Sequence, residues 1–147
     1  MRIYLDNCCF NRPYDDQRQI SISLDAQAKL YVQDKIKTGE LELATSFVLN
    51  YENSQNPYPI RKRSIGQFIN EYSSVHIGRS AREQLNPLIR NIMETGIKVK
   101  DAAHVASAVL AGCEFFLTTD KRLLKYKTDK LELVSPVEFV RRLEEKI

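Results

Sequence analysis

The sequence predicts an α/β fold in which helices cover both sides of one mainly parallel sheet. Short apolar segments alternate along the chain with longer segments in which apolar residues recur every three to four positions. Strands that alternate with helices pair in parallel, because each helix returns the chain to the same edge of the sheet. A chain of 147 residues has room for one compact core, so we expect a single domain over residues 1–147.

The first half of the chain is predicted to hold three strands and three helices. The run from Ile3 to Leu5 is apolar, rich in strand-forming residues and too near the chain start for a helix, so it predicts a buried strand that ends at Asp6. Helical spacing and a following glycine predict a long helix next, and Ser46 is suited to cap the helix after the second strand. The predicted elements are 3–5, 20–37, 41–45, the helix between Ser46 and Pro57, 60–72 and 75–77.

The second half continues the alternation. Apolar residues form a stripe on a predicted helix that Gly96 ends, and a small-residue helix follows Asp101 and closes at Gly112. The apolar run before Thr118 predicts a strand that leads into Asp120. In order, the predicted elements are helix 80–95, helix 102–111, strand 113–117, a short basic helix, strand 131–134 and a helix after Pro136.

Composition excludes several classes of protein. Apolar residues make up 43% of the chain and charged residues 28%, which is typical of folded globular proteins. No apolar run approaches the roughly 20 residues of a spanning helix, and a carboxylate at position 6 comes too early for a signal peptide, so we expect a cytoplasmic protein with no membrane partner. The net charge of +3 permits a nucleic-acid partner without requiring one. Three cysteines without CxxC spacing predict buried thiols.

Absent motifs leave acidic residues as the main candidates for chemistry. The five scattered glycines form no dinucleotide or P-loop motif, the two histidines form no zinc motif, and there is no GxSxG. Ligands of parallel sheets bind beyond the carboxyl ends of the strands, where Asp6 and Asp120 are predicted to lie. Glu52, on the helix after the second strand, can reach the same rim, and Asp101 stands at the start of the small-residue helix.

Each acid alone has a plainer explanation. Asp101 suits a helix N-cap, Asp120 a turn or cap, and Glu52 a solvated helix face. Asp6 is harder to explain in that way, because an aspartate that directly follows a buried strand must be hydrogen-bonded, bound to metal or placed at an active rim. Clustered carboxylates that stay ionised imply a cation, and ligation by oxygen alone selects Mg²⁺ or Mn²⁺ over zinc.

Four segments together resemble a PIN domain, and the resemblance extends from Arg2 to about Val134. PIN domains are metal-dependent ribonucleases, and many are VapC-type toxins of toxin–antitoxin pairs. The resemblance implies a PIN-like three-layer sandwich with a central mainly parallel sheet and helices on both faces. The matching segments are Ile3-Tyr4-Leu5-Asp6-Asn7, the helix from Ser46 to Glu52, Asp101 to Ala108, and Phe116-Leu117-Thr118-Thr119-Asp120-Lys121.

By matching position, the resemblance places the catalytic and metal-binding acids at Asp6, Glu52, Asp101 and Asp120. Thr118 matches a supporting hydroxyl two residues before the last acid. Asn7, a second supporting residue, stands where the family usually has Ser or Thr; it can hydrogen-bond but supplies no hydroxyl, so reduced or altered activity is one expectation. His104 is predicted to be a hydrogen-bonded packing residue rather than part of the site.

Basic residues near the predicted site are candidates for RNA contacts. Arg12 can meet a scissile phosphate, although an ion pair with Asp15 or Asp16 in a structural turn is favoured. A second group lies just past the last acid, where a solvated helix face explains it equally well. This group is Lys121, Arg122 and Lys125.

The leading hypothesis is an endoribonuclease that uses Mg²⁺ or Mn²⁺ to activate water, as the toxin of a type II toxin–antitoxin pair. One alternative is a non-catalytic RNA- or protein-binding module, which Asn7 keeps open. Another is phosphoryl transfer through Asp6, which is disfavoured because Cys8 stands where such enzymes need a second aspartate.

A homodimer and an antitoxin partner are also expected. Tyr58 and Ile60 flank Pro59, and the helix that follows combines Phe68 and Ile69 with a basic run over 61–63. Such a helix suits self-association or a partner helix laid in a groove, although packing on its own sheet is an equally good explanation.

Overall fold

A computed structural model describes residues 1–145, which form five strands, eight α-helices and two short 3-10 segments. The strands are β1 Arg2–Leu5, β2 Glu42–Ser46, β3 Ser73–Ile77, β4 Phe115–Leu117 and β5 Glu132–Val134. The helices are α1 Asn7–Asn11, α2 Ile20–Lys37, α3 Phe47–Ser54, α4 Pro59–Tyr72, α5 Arg82–Met93, α6 Val99–Leu110, α7 Lys121–Leu124 and α8 Pro136–Glu145. The 3-10 segments are Arg12–Tyr14 and Arg79–Ala81.

The five strands form one sheet in the order β3-β2-β1-β4-β5, and every neighbouring pair is parallel. The α/β prediction with a parallel sheet is therefore confirmed. The first strand of the chain lies at the centre, with Tyr4 beside Ala44 of β2 on one side and Phe116 of β4 on the other. The carboxyl ends of β1 and β4 consequently lie side by side at one edge of the sheet.

Alternation along β1 divides the interior into two cores, because successive side chains of a strand point to opposite faces. Ile3 and Leu5 face a core formed with α2, α4 and α8, in which Phe139 is fully buried. Tyr4 faces a second core formed with α5 and α6. Ala102, Ala106 and Ala108 of α6 have no exposed surface. The result is a sandwich of three layers with helices on both faces.

The structure corrects the predicted pattern mainly near residues 7–14. Helix α1 and the 3-10 segment that follows it were not predicted, because five residues leave too little sequence for helical periodicity to show. Asp6 caps α1 by accepting a hydrogen bond from the backbone N–H of Cys9, and Cys9 and Phe10 are buried. Tertiary burial and one cap therefore hold this turn, rather than intrinsic helix propensity.

The predicted docking face on α4 is only partly available. Ile69 is buried and Phe68 packs against the first core, so these two side chains support packing of α4 on its own sheet. Tyr58 and Ile60 remain exposed, with 54% and 76% of their surface accessible. None of the helices found in residues 1–145 is both long and apolar enough to cross a membrane.

Candidate active site at the carboxyl edge of the sheet

The two central strands bring Asp6 and Thr118 together. Leu5 and Leu117 are register partners, so the residues that follow them emerge next to each other. The backbone N–H of Asp6 donates to the carbonyl of Leu117 at 3.3 Å. This contact continues the β1–β4 ladder one residue beyond the strand end, where side chains reach the crevice that parallel sheets use for ligands.

Asp6 is held in place by two donors although its side chain is nearly buried. Its Oδ1 accepts from the backbone N–H of Cys9 at 3.2 Å and from the Cys8 thiol at 2.9 Å. Burial raises the pKa of Asp6 well above its ordinary value, and the neighbouring Cys8 raises it further. A carboxylate in this position gains from a bound cation, which offsets the cost of burying its charge.

Thr118 positions the last acid through the backbone. Its buried hydroxyl accepts from the N–H of Asp120 at 3.0 Å. Asp120 in turn caps α7, because its Oδ1 accepts from the N–H of Arg122 at 2.8 Å and that of Leu123 at 3.4 Å. The expectation that Asp120 serves as a cap is confirmed, and the second carboxylate oxygen takes no part in these contacts.

Asp101 is not the N-cap of α6, which corrects the plainer explanation for it. The helix begins at Val99 and Lys98 is its cap residue, so Asp101 is the third helical residue. Burial raises the pKa of Asp101, and the charges of Asp120 and Glu52 add to the increase. Asp101 therefore lies within electrostatic reach of two other predicted site acids.

Glu52 reaches the same region from α3. Its Oε1 lies 2.6 Å from Nε2 of the buried His104, and its Oε2 lies 4.0 Å from the Lys100 ammonium. Burial raises the pKa of Glu52, but the His104 hydrogen bond and Lys100 lower it more, so the net pKa is below the ordinary value. Glu52 is consequently ionised at neutral pH. His104 is a hydrogen-bonded packing residue, as expected, and it also touches a predicted site acid.

The four acids share one edge without packing tightly against one another. In the described part of the chain, the metal-ligating atoms that come within 4.8 Å of each other in a group of three belong to Asp6, Cys8 and Cys9. Cys9 is fully buried and its thiol donates to the Leu117 carbonyl, so it faces the interior. Carboxylates and hydroxyls are the oxygen donors that Mg²⁺ and Mn²⁺ prefer, so the residue types suit such an ion, while no three of the four acids in residues 1–145 bring ligand atoms within 4.8 Å of one another.

Cys8 is the site residue that the sequence analysis missed. The prediction of buried thiols holds for Cys9 and Cys113, but Cys8 is only partly buried. Its sulfur lies 2.9 Å from Asp6 Oδ1 and 3.6 Å from Thr118 Oγ1. Its position two residues after a strand-end aspartate was the available signal, because a helical turn begun by that aspartate folds the side chain back over the carboxylate.

The other predicted residues fall on the rim. Asn7 forms a local contact, since its side-chain oxygen accepts from Asn11 Nδ2 at 3.2 Å. Arg12 lies 3.5 Å from Asp15 and 3.9 Å from Asp25, which agrees with the favoured structural ion pair to Asp15. The remaining basic candidates are exposed and form no ion pair within residues 1–145; they are Lys121, Arg122 and Lys125.

Comparison with known proteins supports the fold. No family model matches the sequence, and no curated protein does. A solved structure does match: the crystal structure of VapBC2 from Rickettsia felis bound to a DNA fragment from their promoter. The match has a TM-score of 0.56 and 14% identity, and it covers 92% of this chain and 98% of the other. The fold is that of a PIN domain. The PIN-like three-layer sandwich expected from the sequence is thus confirmed.

Proposed function

We propose that this PIN-fold chain is a metal-dependent endoribonuclease that cleaves RNA phosphodiesters by hydrolysis. The observation that carries the proposal is the convergence of acids from four separate elements on one sheet edge. Asp6 follows β1, Glu52 lies on α3, Asp101 on α6 and Asp120 after β4. The raised pKa of Asp101, caused by burial and by its acidic neighbours, is evidence that these charges interact. A site that concentrates negative charge in this way suits a divalent cation.

In this proposal, the four carboxylates hold Mg²⁺ or Mn²⁺. Such an ion supplies Lewis-acid activation of a water for in-line attack on the phosphodiester, without a side-chain nucleophile. Thr118 fixes the backbone of Asp120, and the Cys9 N–H and Cys8 thiol orient Asp6. Of the exposed bases past Asp120, Lys121 and Arg122 are at the start of α7, where they can contact phosphates of a strand entering the site.

We also propose that the chain is the toxin of a type II toxin–antitoxin pair, acts in the cytoplasm and forms a homodimer. The solved structure with the same fold is of a VapBC2 assembly. Tyr58 and Ile60 are exposed apolar residues next to the basic Lys62 and Arg63, which is a surface suited to a partner with apolar and acidic groups.

Light scattering of the isolated chain at tens of micromolar tests the dimer, and a monomer would remove that claim. Purification from the native operon tests the partner, since an antitoxin would co-purify as a second small protein.

A non-catalytic RNA- or protein-binding module is the alternative. It is favoured by the spacing of the acids, since no three of the four bring ligand atoms within 4.8 Å of each other in residues 1–145. Asn7 also favours the non-catalytic module, because its side chain is hydrogen-bonded to the nearby Asn11.

Cleavage of structured and unstructured RNA, with Mg²⁺, Mn²⁺ or EDTA, separates the two functions. The nuclease proposal requires cleavage that EDTA abolishes and excess Mn²⁺ restores. Asp101→Asn should remove this cleavage, whereas Asp129→Asn, at an exposed aspartate of the segment before β5, should retain it. RNA binding without cleavage in any metal supports the module instead. A covalent aspartyl-phosphate on Asp6 would identify phosphoryl transfer.

A further inference from the structure

A chain of buried hydrogen bonds leads from the start of α3 back to Glu52 on the same helix. Ser46 caps α3, and its Oγ accepts from the N–H of Leu49 at 3.2 Å. Ser46 Oγ lies 2.7 Å from the Tyr4 hydroxyl, which lies 2.6 Å from Nδ1 of His104. Nε2 of the same ring lies 2.6 Å from Glu52 Oε1. Four elements, β1, β2, α3 and α6, are joined in this circuit.

The hydrogen-bond partners determine where the protons lie. An ionised carboxylate only accepts, so His104 must donate from Nε2 to Glu52. With Nδ1 as an acceptor, the Tyr4 hydroxyl donates to it at 2.6 Å, and burial raises the pKa of Tyr4, which keeps that proton in place. The Tyr4 oxygen accepts from the Ser46 hydroxyl, and Ser46 accepts from Leu49. In this arrangement every polar group has one partner in the correct sense, with His104 as its Nε2–H tautomer.

The circuit leaves one oxygen of Glu52 available. Oε1 accepts a hydrogen bond from His104, which is only 2% exposed. Oε2 has the Lys100 ammonium at 4.0 Å. A carboxylate fixed in this way can offer a cation a single oxygen in a single orientation. Hydrogen-bond partners that orient metal ligands typically change metal affinity by about 10- to 100-fold when they are removed.

We propose that His104 and Tyr4 are positioning residues that act through Glu52: the Ser46–Tyr4–His104 chain holds the Glu52 carboxylate by Oε1, so that Oε2 would be the oxygen it offers to a divalent ion. This inference rests on the proposed metal-dependent function of the site. It assigns a role to a buried polar chain that the packing of the core does not require. The Tyr4 ring already stacks on Phe116 at 5.3 Å between centroids, and a phenylalanine would keep that contact.

Tyr4→Phe tests the proposal, because it removes one hydroxyl and keeps the ring. Mn²⁺ binding to the apo chain is measured by the loss of the free-ion signal in electron paramagnetic resonance, which needs no RNA and no activity. We expect the dissociation constant for Mn²⁺ to rise about tenfold. Tyr72→Phe is the matched control, since the Tyr72 ring packs on Phe68 against the first core, not the second core that holds Tyr4, and its affinity should equal that of the wild type.

A double variant and a spectrum make the test specific. In a Glu52→Gln background, adding Tyr4→Phe should weaken Mn²⁺ binding no further, because the residue through which Tyr4 acts has lost its charge. Nitrogen-15 spectra of the ring should show the Nε2–H tautomer in the wild type and a mixture of tautomers in Tyr4→Phe.

The outcomes are distinguishable. Wild-type Mn²⁺ affinity in a folded Tyr4→Phe variant, or a wild-type ring protonated on Nδ1 alone, would overturn the positioning role and leave the nuclease proposal standing. Absence of Mn²⁺ binding by the wild type, with or without RNA, would reject the metal-dependent function and the positioning role together.

Discussion

Replacing Lys29 by methionine is predicted to remove a buried charge that weakens the fold at neutral pH. Lys29 lies on α2 with 5% of its surface exposed, and no acid pairs with it among the described residues. Its ammonium donates to Gln33 and lies 5.2 Å from the ring centre of Phe10 and 5.6 Å from that of Phe68. Burial lowers the pKa of Lys29 from 10.5 to about 8.

The pKa sets the size and sign of the effect. A shift from 10.5 to about 8 corresponds to a cost of about 3 kcal/mol for keeping the amine charged in the folded state. This cost is net of the contacts that the ammonium makes with the two rings and Gln33, so Lys29→Met should raise the free energy of unfolding at pH 7 by up to about 3 kcal/mol. Between pH 8 and 10.5 the unfolded chain binds more protons than the folded chain, so wild-type stability rises with pH. The variant lacks this rise.

Urea unfolding followed by circular dichroism at pH 7, 8, 9 and 10 measures the effect, since the chain has no tryptophan for fluorescence. Between pH 7 and pH 10, the free energy of unfolding of the wild type should rise by about 2 to 3 kcal/mol relative to that of Lys29→Met. Lys37→Met is the matched control, because Lys37 is exposed on the same helix and its removal should change stability by less than about 0.5 kcal/mol. Parallel pH curves for the wild type and Lys29→Met would refute the reasoning.

Three further predictions concern the site and the core. Asp6→Asn should abolish RNA cleavage in a gel assay, and cleavage at the wild-type rate would show that Asp6 is not a ligand. In thermal melts at pH 7 the apo variant should be as stable as the wild type or more stable, because burial and Cys8 hold the pKa of Asp6 high, so that its ionisation costs stability as the pH rises. Mg²⁺ or Mn²⁺ at about 100 times its dissociation constant should stabilise the wild type by about 2.7 kcal/mol, which raises its melting temperature but not that of Asp6→Asn. An unchanged melting temperature of the wild type across millimolar Mn²⁺ would favour the non-catalytic module. Phe139→Ala should cost about 3 to 5 kcal/mol in chemical unfolding, because Phe139 is 1% exposed and packs edge-on against Phe115; a loss below about 1 kcal/mol would contradict the assignment of α8 to the core.

The parallel sheet and the strand ends that carry Asp6 and Asp120 follow from local patterns, whereas the order of the strands in the sheet was not predicted. Apolar runs that end at Asp6 and near Asp120 are visible in the sequence, and parallel pairing places their ends at one edge. The helix over 20–37 is also found with the predicted bounds, because its apolar residues recur over many turns. Long periodic elements and strand ends are therefore predictable from sequence.

The contacts that refine the site were not predictable in this way. Tyr4 and His104 are 100 positions apart, and the hydrogen bond between them depends on how α6 packs on the sheet. Cys8 reaches Asp6 through a helical turn too short to leave a periodic signal. The N-cap interpretation of Asp101 failed because α6 begins at Val99, and the start of a helix depends on tertiary contacts as well as on a capping residue.

The placement of β1 between β2 and β4 has a consequence for the order in which the chain folds. Strands β1, β2 and β3 pair within residues 2–77, whereas β1 meets β4 only after a loop of more than one hundred residues closes. Pairing over such a separation is slow, because the entropy of loop closure is lost before the contacts form. Residues 2–77, which hold the first three strands, contain Asp6 and Glu52 but neither Asp101 nor Asp120. The first three strands alone therefore carry half of the acidic site, and the four acids of the proposed site come together only when β4 pairs with β1.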